Sequence, residues 1–195
     1  MLVKYKPFGE YQTNCYIVDE KIVIDPGVGA TKWVLENLKN PKAILLTHGH
    51  FDHAWSVKEL KEKLNIPVYI HQKDSFLLQN DIFGKNMPTT SADILIKKDK
   101  SINIDNIEIK FRHFGGHTPG SMTIEIDKFM FSGDFIFNGS IGRCDFPYSD
   151  VKEMKKSLKR FLEINYDKII HSGHGQKTNI QDEQKNIKNY WLKVL

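Results

Sequence analysis

The segment Thr47-His48-Gly49-His50-Phe51-Asp52-His53 places four potential metal ligands within six positions. It follows residues 43–47, a short and continuously apolar run that is typical of a strand buried on both faces. The end of such a strand is rigid and Gly49 lets the backbone turn, so several side chains can converge on one point. His48 and His50 project to the same side of an extended segment, whereas Asp52 and His53 fall where the next helix begins. The spacing therefore predicts a metal site at this strand end, with Asp52 and His53 available to a second centre nearby.

Three further ligands occur in a similar setting, after a strand-like segment and beside glycine. They are His117 in Gly116-His117-Thr118-Pro119-Gly120, Asp134 in Ser132-Gly133-Asp134, and His174 in Gly173-His174-Gly175. Each motif alone is weak evidence, because a histidine between glycines is usually only part of a turn. Together with the first cluster they supply seven nitrogen and oxygen ligands. Seven ligands suit two metal ions that share one bridging carboxylate.

The cysteine content excludes two kinds of structural site. The chain has 195 residues, of which 40% are hydrophobic and 27% are charged, as in ordinary globular proteins. A chain of this length buries roughly 70% of the surface that its unfolded form exposes, so it needs no metal to fold. Cys15 and Cys144 form no Cys-x-x-Cys pair, which excludes a zinc finger and a disulfide framework. We therefore expect any metal held by the histidines to serve chemistry.

The charge pattern argues against nucleic acid as a partner, and the hydropathy pattern argues against a membrane. The formal net charge of +4 comes almost entirely from lysine, and lysines alternate with acids at residues 58–63, as on a solvated helix face. Nucleic-acid sites usually concentrate arginine and aromatic residues instead. No apolar run approaches the roughly 20 residues of a membrane span, and residues 1–10 lack the pattern of a signal peptide. The expected compartment is the cytoplasm, and the sequence leaves the oligomeric state open.

The order of the predicted elements indicates two similar halves fused in one α/β domain that spans residues 1–195. Strands are predicted at residues 14–19, 21–25, 43–47, 67–70, 93–97, 101–104, 107–113, 122–126, 129–132 and 168–171. Helices are predicted at residues 31–38, 54–65 and 150–164 and from about residue 180, with a short helix and a loop between residues 72 and 90. No linker or short repeat divides the chain.

The combined motifs resemble those of the metallo-β-lactamase fold superfamily. The resemblance rests on His-x-His-x-Asp-His at residues 48–53 together with the three glycine-flanked motifs, and it extends from Asn14 to about Thr178. It implies a four-layer αββα sandwich with the metal ions at one edge of two sheets. Carried over by position, it implies a first metal ion held by His48, His50 and His117, a second held by Asp52, His53 and His174, and Asp134 as the bridge.

Within the superfamily the chain is similar to the glyoxalase II (hydroxyacylglutathione hydrolase) group, which hydrolyses thioesters. The Asp25-Pro26-Gly27 turn and the Ser-Gly-Asp motif agree with that group. The true β-lactamases commonly use cysteine on the second metal, so Asp134 argues against lactam hydrolysis. Longer glyoxalase II enzymes carry an extra C-terminal helical region and a lysine after the bridging aspartate. Here about twenty residues follow His174, and Gly142-Arg143-Cys144-Asp145-Phe146 resembles the short bacterial glyoxalase II-like proteins and equally the persulfide dioxygenases.

The resemblance implies a binuclear hydrolase in which a metal-bridging hydroxide attacks the carbonyl of a small-molecule thioester. Asp52 and Asp134 would hold and orient that hydroxide. A divalent metal lowers the pKa of bound water to about 7, and the leaving thiolate, with a reference pKa near 8.5, needs little protonation. Zinc is the first expectation for the two ions, and iron or manganese also fit mixed His/Asp sites. The alternatives are a mononuclear Fe(II) persulfide dioxygenase and a lactonase.

Other residues are expected to shape the site rather than bind metal. Arg143 can pair with a substrate carboxylate, because its guanidinium suits bidentate pairing, or it can brace Asp145. Phe83 and Met87 are expected to form a wall of the pocket. The sequence predicts structural or supporting roles for three further histidines at strand ends, which are His71, His113 and His171.

Overall fold

The computed structural model describes residues 1–195 as two facing six-stranded sheets with helices outside both. The first sheet contains, in spatial order, β1 (Val3–Phe8), β2 (Thr13–Val18), β3 (Ile22–Ile24), β4 (Ala43–Leu45), β5 (Val68–His71) and β6 (Ile94–Ile96). The second contains β7 (Lys100–Ile104), β8 (Ile107–His113), β9 (Met122–Ile126), β10 (Phe129–Gly133), β13 (Ile169–Ser172) and β14 (Thr178–Asn179). Its spatial order is β14-β13-β10-β9-β8-β7. Between β10 and β13 in the sequence, β11 (Ile136–Phe137) and β12 (Ser140–Ile141) form a separate hairpin.

Helices connect the strands that pair in parallel, because a parallel pair needs a crossover connection. In the first half these are α1 (Thr31–Asn37), α2 (Phe51–Ala54), α3 (Val57–Leu64) and, after a 3₁₀ turn at Gln72–Asp74, α4 (Ser75–Gln79). In the second half α5 (Val151–Phe161) precedes β13, which pairs in parallel with β10, and α6 (Ile180–Asn186) continues through a π turn at Ile187–Trp191 into α7 (Leu192–Val194). None of these helices has both the length and the apolar character that a bilayer crossing requires.

Three apolar clusters separate the four layers. The central cluster lies between the sheets and includes Tyr16, Phe111 and Phe131. A second cluster packs the outer face of the first sheet against α1 and α3, and a third packs the second sheet against α5 and α6. The four-layer αββα sandwich expected from the sequence is therefore confirmed.

The two halves also join directly beside the ends of β2 and β13. The backbone N–H of Asn14 donates to the carbonyl of Gly173 at 2.7 Å, and the Asn14 amide donates to the carbonyl of Ser172 at 3.1 Å. The hydroxyl of Tyr16 donates to the same Ser172 carbonyl at 2.6 Å. Backbone of the first sheet is thus tied to the strand end that carries His174.

The predicted elements are present, and the differences lie in their bounds and in short additional strands. The single helix predicted over residues 54–65 is wrong, because the structure has α2 and then α3, with a break at Trp55 and Ser56. β1 was not predicted, since this edge strand has no fully buried residue and lacks a buried alternating face. β14 and the β11–β12 hairpin strands, of two residues each, are too short for a periodic signal.

Candidate metal centre

The seven predicted ligands converge at one edge of the two sheets. His48 and His50 follow β4, while Asp52 and His53 lie on α2 immediately afterwards. The others come from the second half: His117 from the β8–β9 loop, Asp134 from the end of β10, and His174 from the end of β13. Strand ends position these side chains because the backbone behind them is held in a sheet.

His48, His50 and His117 form a buried triad whose candidate ligand atoms lie within 4.8 Å of one another. The Nδ1 atom of His50 is 3.0 Å from Nε2 of His117, and Nε2 of His48 is buried without a hydrogen-bond partner. Nδ1 of His117 lies 2.8 Å from the carbonyl oxygen of Arg143. That contact fixes the proton on Nδ1 and leaves the Nε2 lone pair free, which is the usual support for a metal-binding histidine.

Asp52, His53 and His174 form a second triad with the same spread of ligand atoms. Nε2 of His174 lies 3.4 Å from both Oδ2 of Asp52 and Nε2 of His53. The Nδ1 atom of each histidine has a hydrogen-bond acceptor. Nδ1 of His53 is 3.0 Å from Oδ2 of Asp25, and Nδ1 of His174 is 2.8 Å from the carbonyl oxygen of Tyr11. Both rings therefore direct Nε2 into the shared space.

Asp134 lies between the two triads. Its Oδ1 is 3.2 Å from Nε2 of His53, and its Oδ2 is 3.3 Å from Nε2 of His174 and 3.5 Å from Nε2 of His117. Gly173 makes room for this carboxylate, because a Cβ atom there would lie 2.1 Å from Oδ1. One carboxylate group is thus in reach of both triads.

The electrostatics of the cluster favour a bound cation. Burial lowers the pKa values of His48, His50 and His117, which keeps these imidazoles neutral as metal ligands must be. Burial by itself would lower the pKa of His53, but the nearby carboxylates of Asp52 and Asp134 outweigh this effect and raise it well above its ordinary value. Burial raises the pKa of Asp134, but His53 and His174 beside it outweigh this and hold it well below its usual range.

Three buried polar atoms at the centre have no hydrogen-bond partner, namely Nε2 of His48, Nε2 of His50 and Oδ1 of Asp134. An unpaired buried polar atom is costly, and a coordinated cation would satisfy such atoms. Five imidazoles and two carboxylates are also a donor set that suits borderline divalent metals. The residues present therefore fit divalent metal ions.

Two supporting residues were missed as site residues by the sequence analysis. Asp25 accepts from the backbone N–H and the hydroxyl of Thr47 at 2.8 and 2.6 Å, besides contacting His53. Thr13 donates its hydroxyl to Oδ2 of Asp52 at 2.7 Å. The Asp-Pro-Gly turn was the only signal for Asp25, and nothing in the sequence around Thr13 marks its role.

A third missed residue, Asp74, connects two of the ligand-bearing loops. Its fully buried carboxylate accepts from the backbone N–H of Gly49 at 3.1 Å, from the hydroxyl of Thr118 at 2.6 Å and from the N–H of Gly120. Burial raises the pKa of Asp74 to about 6 in spite of these bonds. The loop carrying His48 and His50 is therefore tied to the loop carrying His117.

A cavity of about 740 Å³ opens onto the centre. Aromatic side chains form much of its wall, and they are Tyr11, Phe51, Phe83, Phe137 and Phe146. Phe83 lies at the pocket as expected, with its ring 5.1 Å from that of His50. The expectation for Met87 is wrong, because its side chain is buried in the cluster between the first sheet and its helices.

Arg143 adopts one of the two arrangements that the sequence left open. Its guanidinium forms a bidentate pair with Asp145 at 2.9 and 2.7 Å and lies 4.3 Å from the centroid of the Phe146 ring. The residue lines the cavity, so a contact with substrate stays a prediction.

The other three histidines lie outside both triads. The rings of His71 and His113 stack at 4.2 Å, and His171 stacks on Phe131 between the sheets.

Comparison with known proteins identifies the family to which the chain belongs. The family model of the metallo-beta-lactamase superfamily matches residues 8–174. The chain is 34% identical over 203 residues to the hydroxyacylglutathione hydrolase GloC of Haemophilus influenzae, covering 95% of this chain and 96% of that one.

Two solved structures are similar over almost their whole length. The B3 metallo-beta-lactamase BLEG-1 superposes with a TM-score of 0.86 at 34% identity, covering 98% of this chain and 99% of that one. TTHA1623, solved in a di-iron-bound form, superposes with a TM-score of 0.81 at 32% identity, covering 94% and 98%. The chain belongs to the metallo-β-lactamase superfamily, whose members are generally metal-dependent hydrolases.

Proposed function

We propose that the protein is a binuclear metal-dependent thioester hydrolase of the glyoxalase II-like group. The observation that carries this proposal is the position of Asp134, whose carboxylate oxygens lie within 3.5 Å of histidines from both triads. A carboxylate shared by two triads suits a pair of metal ions rather than one. The similarity to a protein named hydroxyacylglutathione hydrolase supports the choice of thioesters.

In this proposal His48, His50 and His117 hold one ion, Asp52, His53 and His174 hold the other, and Asp134 contacts both. Such ions lower the pKa of water to about 7 and polarise a carbonyl oxygen. We propose zinc for both, and iron remains a candidate because the related TTHA1623 binds two irons. Manganese also fits the donor set.

The chain's own groups position the reaction. Asp52 and Asp134 line the cavity and can accept hydrogen bonds from an attacking water, which orients its lone pair towards the substrate. Asp25 and the carbonyls of Tyr11 and Arg143 hold the histidine rings in place. The aromatic walls of the cavity limit competing water around the thioester. The departing thiolate needs little protonation, so no separate general acid is required.

The proposal is tested by the release of free thiol from S-lactoylglutathione by protein of known metal content. We expect turnover that is lost on chelation and restored by adding a divalent metal. Protein that binds two metal ions per chain and releases no thiol from S-lactoylglutathione or other acyl thioesters would contradict the proposal. Oxygen uptake with glutathione persulfide, together with one iron per chain, would favour the dioxygenase alternative, and turnover of lactones alone would favour a lactonase.

Lactam hydrolysis is the second candidate, because BLEG-1 carries the name of a B3 metallo-beta-lactamase at 34% identity. Both reactions attack an acyl carbonyl, so one centre can serve either. A chromogenic cephalosporin assayed beside S-lactoylglutathione separates them. A higher kcat/KM for the cephalosporin would reverse our order of preference.

A further inference from the structure

Two cationic side chains line the cavity that opens onto the metal centre, and their surroundings differ. Arg143 is neutralised by its bidentate pair with Asp145. Lys85 is exposed, and its ammonium forms no ion pair with any carboxylate of the chain. The two carboxylates that line the cavity, Asp52 and Asp134, face the histidine triads. Lys85 is therefore the one unpaired positive side chain of the cavity wall.

The loop that carries Lys85 is held in a defined conformation. The carboxylate of Asp81 accepts from the backbone N–H groups of Lys85 at 3.0 Å and Asn86 at 2.7 Å. Gly84 and Asn86 adopt left-handed backbone angles, with φ of 60° and 62°, which complete the tight turn. Because these two hydrogen bonds hold the backbone of the turn, only the side chain of Lys85 has to be ordered when it meets a ligand.

Lys85 is exposed but lies next to the aromatic wall. Its ammonium is 5.8 Å from the centroid of the Phe51 ring, and that ring is 6.0 Å from the ring of Phe83. The cation–π contact holds the charge over the ring at the cavity. The wall thus offers an apolar surface for the body of a substrate and a positive charge beside it.

We infer that Lys85 binds an anionic group, a carboxylate or phosphate, on the thiol carrier of the substrate. This inference rests on the proposed thioesterase function and narrows its substrates to thioesters with an acidic carrier. The carrier would lie along Phe51 and Phe83, with its charge at Lys85 and its acyl carbonyl at the metal centre. The charge of Arg143 is already satisfied by Asp145, so Lys85 is the stronger determinant.

The test compares Lys85→Gln with the parent on matched substrates. S-Lactoylglutathione and its diethyl ester differ by carboxylate charge, and acyl-phosphopantetheine and acyl-pantetheine differ by phosphate. We expect kcat/KM for at least one charged substrate to fall about fivefold, mainly through KM, with little change for its neutral partner. Whichever pair responds identifies the anion. We expect Lys85→Glu to lower kcat/KM for that charged substrate about tenfold or more by repulsion, and Lys85→Arg to retain it.

Lys58→Gln is the matched control, because Lys58 is an exposed lysine of α3 outside the cavity. Calorimetric binding of glutathione and its diethyl ester to the metal-loaded protein gives a readout without turnover. Equal losses for charged and neutral ligands, or no loss for either, would overturn the role of Lys85. Failure of the parent to cleave any thioester would instead contradict the proposed function, and the binding arm would still test Lys85.

Discussion

At the scale of single residues, glycines determine how closely the ligands can approach one another. Gly173 precedes His174, and a Cβ atom at this position would lie 2.1 Å from Oδ1 of Asp134 and 2.6 Å from Cε1 of His53. His53 is fully buried, and Asp134 is held between the histidines of both triads, so either neighbour would have to leave its contacts. The spacing between Asp134 and the second triad therefore depends on the absence of a side chain here.

We predict that Gly173→Ala displaces Asp134 and lowers the metal content below the two ions per chain of the proposed binuclear centre. A shift of about 1 Å at a reacting centre can lower activity about 100-fold, so we expect a loss of that order in kcat. Metal analysis and thiol release measure both effects. Gly29→Ala is the control, because a Cβ there meets nothing within 4 Å, although its φ of 82° adds backbone strain. Two ions per chain in Gly173→Ala would refute this account.

At the scale of elements, the ligand loops are coupled through a buried carboxylate at the start of α4. Asp74 accepts from Gly49 on the loop after β4 and from Thr118 and Gly120 on the loop after β8. Loops from opposite sheets therefore share one acceptor, so that the Asp74 carboxylate holds both loops in place relative to each other.

We predict that Asp74→Asn weakens metal binding as well as stability. The amide NH₂ group of the new asparagine would face an N–H or hydroxyl donor. The buried donors would then be unpaired, which lowers the free energy of unfolding by roughly 1–3 kcal/mol. Urea unfolding measures the stability, and competition with a chelator measures metal affinity at the first triad. Asp93→Asn is the control, since Asp93 also accepts a backbone N–H, from Val68, but is exposed, pairs with Lys61 and belongs to neither triad. Unchanged metal affinity in Asp74→Asn would limit Asp74 to a structural role.

The site was more predictable than the contacts that support it. His48, His50, Asp52 and His53 lie in one contiguous motif, and the remaining ligands carry glycine neighbours at strand ends. Asp74 has no such local mark, because its partner Gly120 lies 46 positions away. Arg143 and Asp145 are two positions apart in one loop, and whether they pair depends on the conformation of that loop. The sequence does not determine that conformation.

At the scale of the whole molecule, one histidine between the sheets makes stability depend on pH. Burial lowers the pKa of His171 to about 4 from the ordinary value of 6.5. Between these values the unfolded chain binds a proton that the folded chain does not, so stability falls as pH falls from 6.5 to 4. Above 6.5 both forms are neutral and this contribution is complete.

We predict that His171→Phe reduces this dependence. Phe fits a site that already contacts Phe129, Phe131 and Tyr16. One pKa unit corresponds to about 1.4 kcal/mol, and partial contact of the ring with solvent reduces the effect to roughly 1–2 kcal/mol. Urea unfolding of chelated parent and variant at pH 7.5 and 4.5 measures the difference. If the free energy of unfolding fell equally in parent and variant between pH 7.5 and pH 4.5, His171 would not be the cause of the pH dependence.

The division of the ligands between the two halves has a consequence for how the chain acquires metal. Each triad takes two members from the segment after β4 and one from the second half, either His117 or His174. Neither of these two triads is complete within one half, and the hydrogen bonds of Asn14 to the end of β13 form only when the sheets meet. Contacts so distant in sequence require the closure of a long loop, which costs chain entropy before the contacts contribute. We therefore expect tight metal binding at these two triads to report finished assembly, and a chain whose last strands have not docked to bind metal there more weakly.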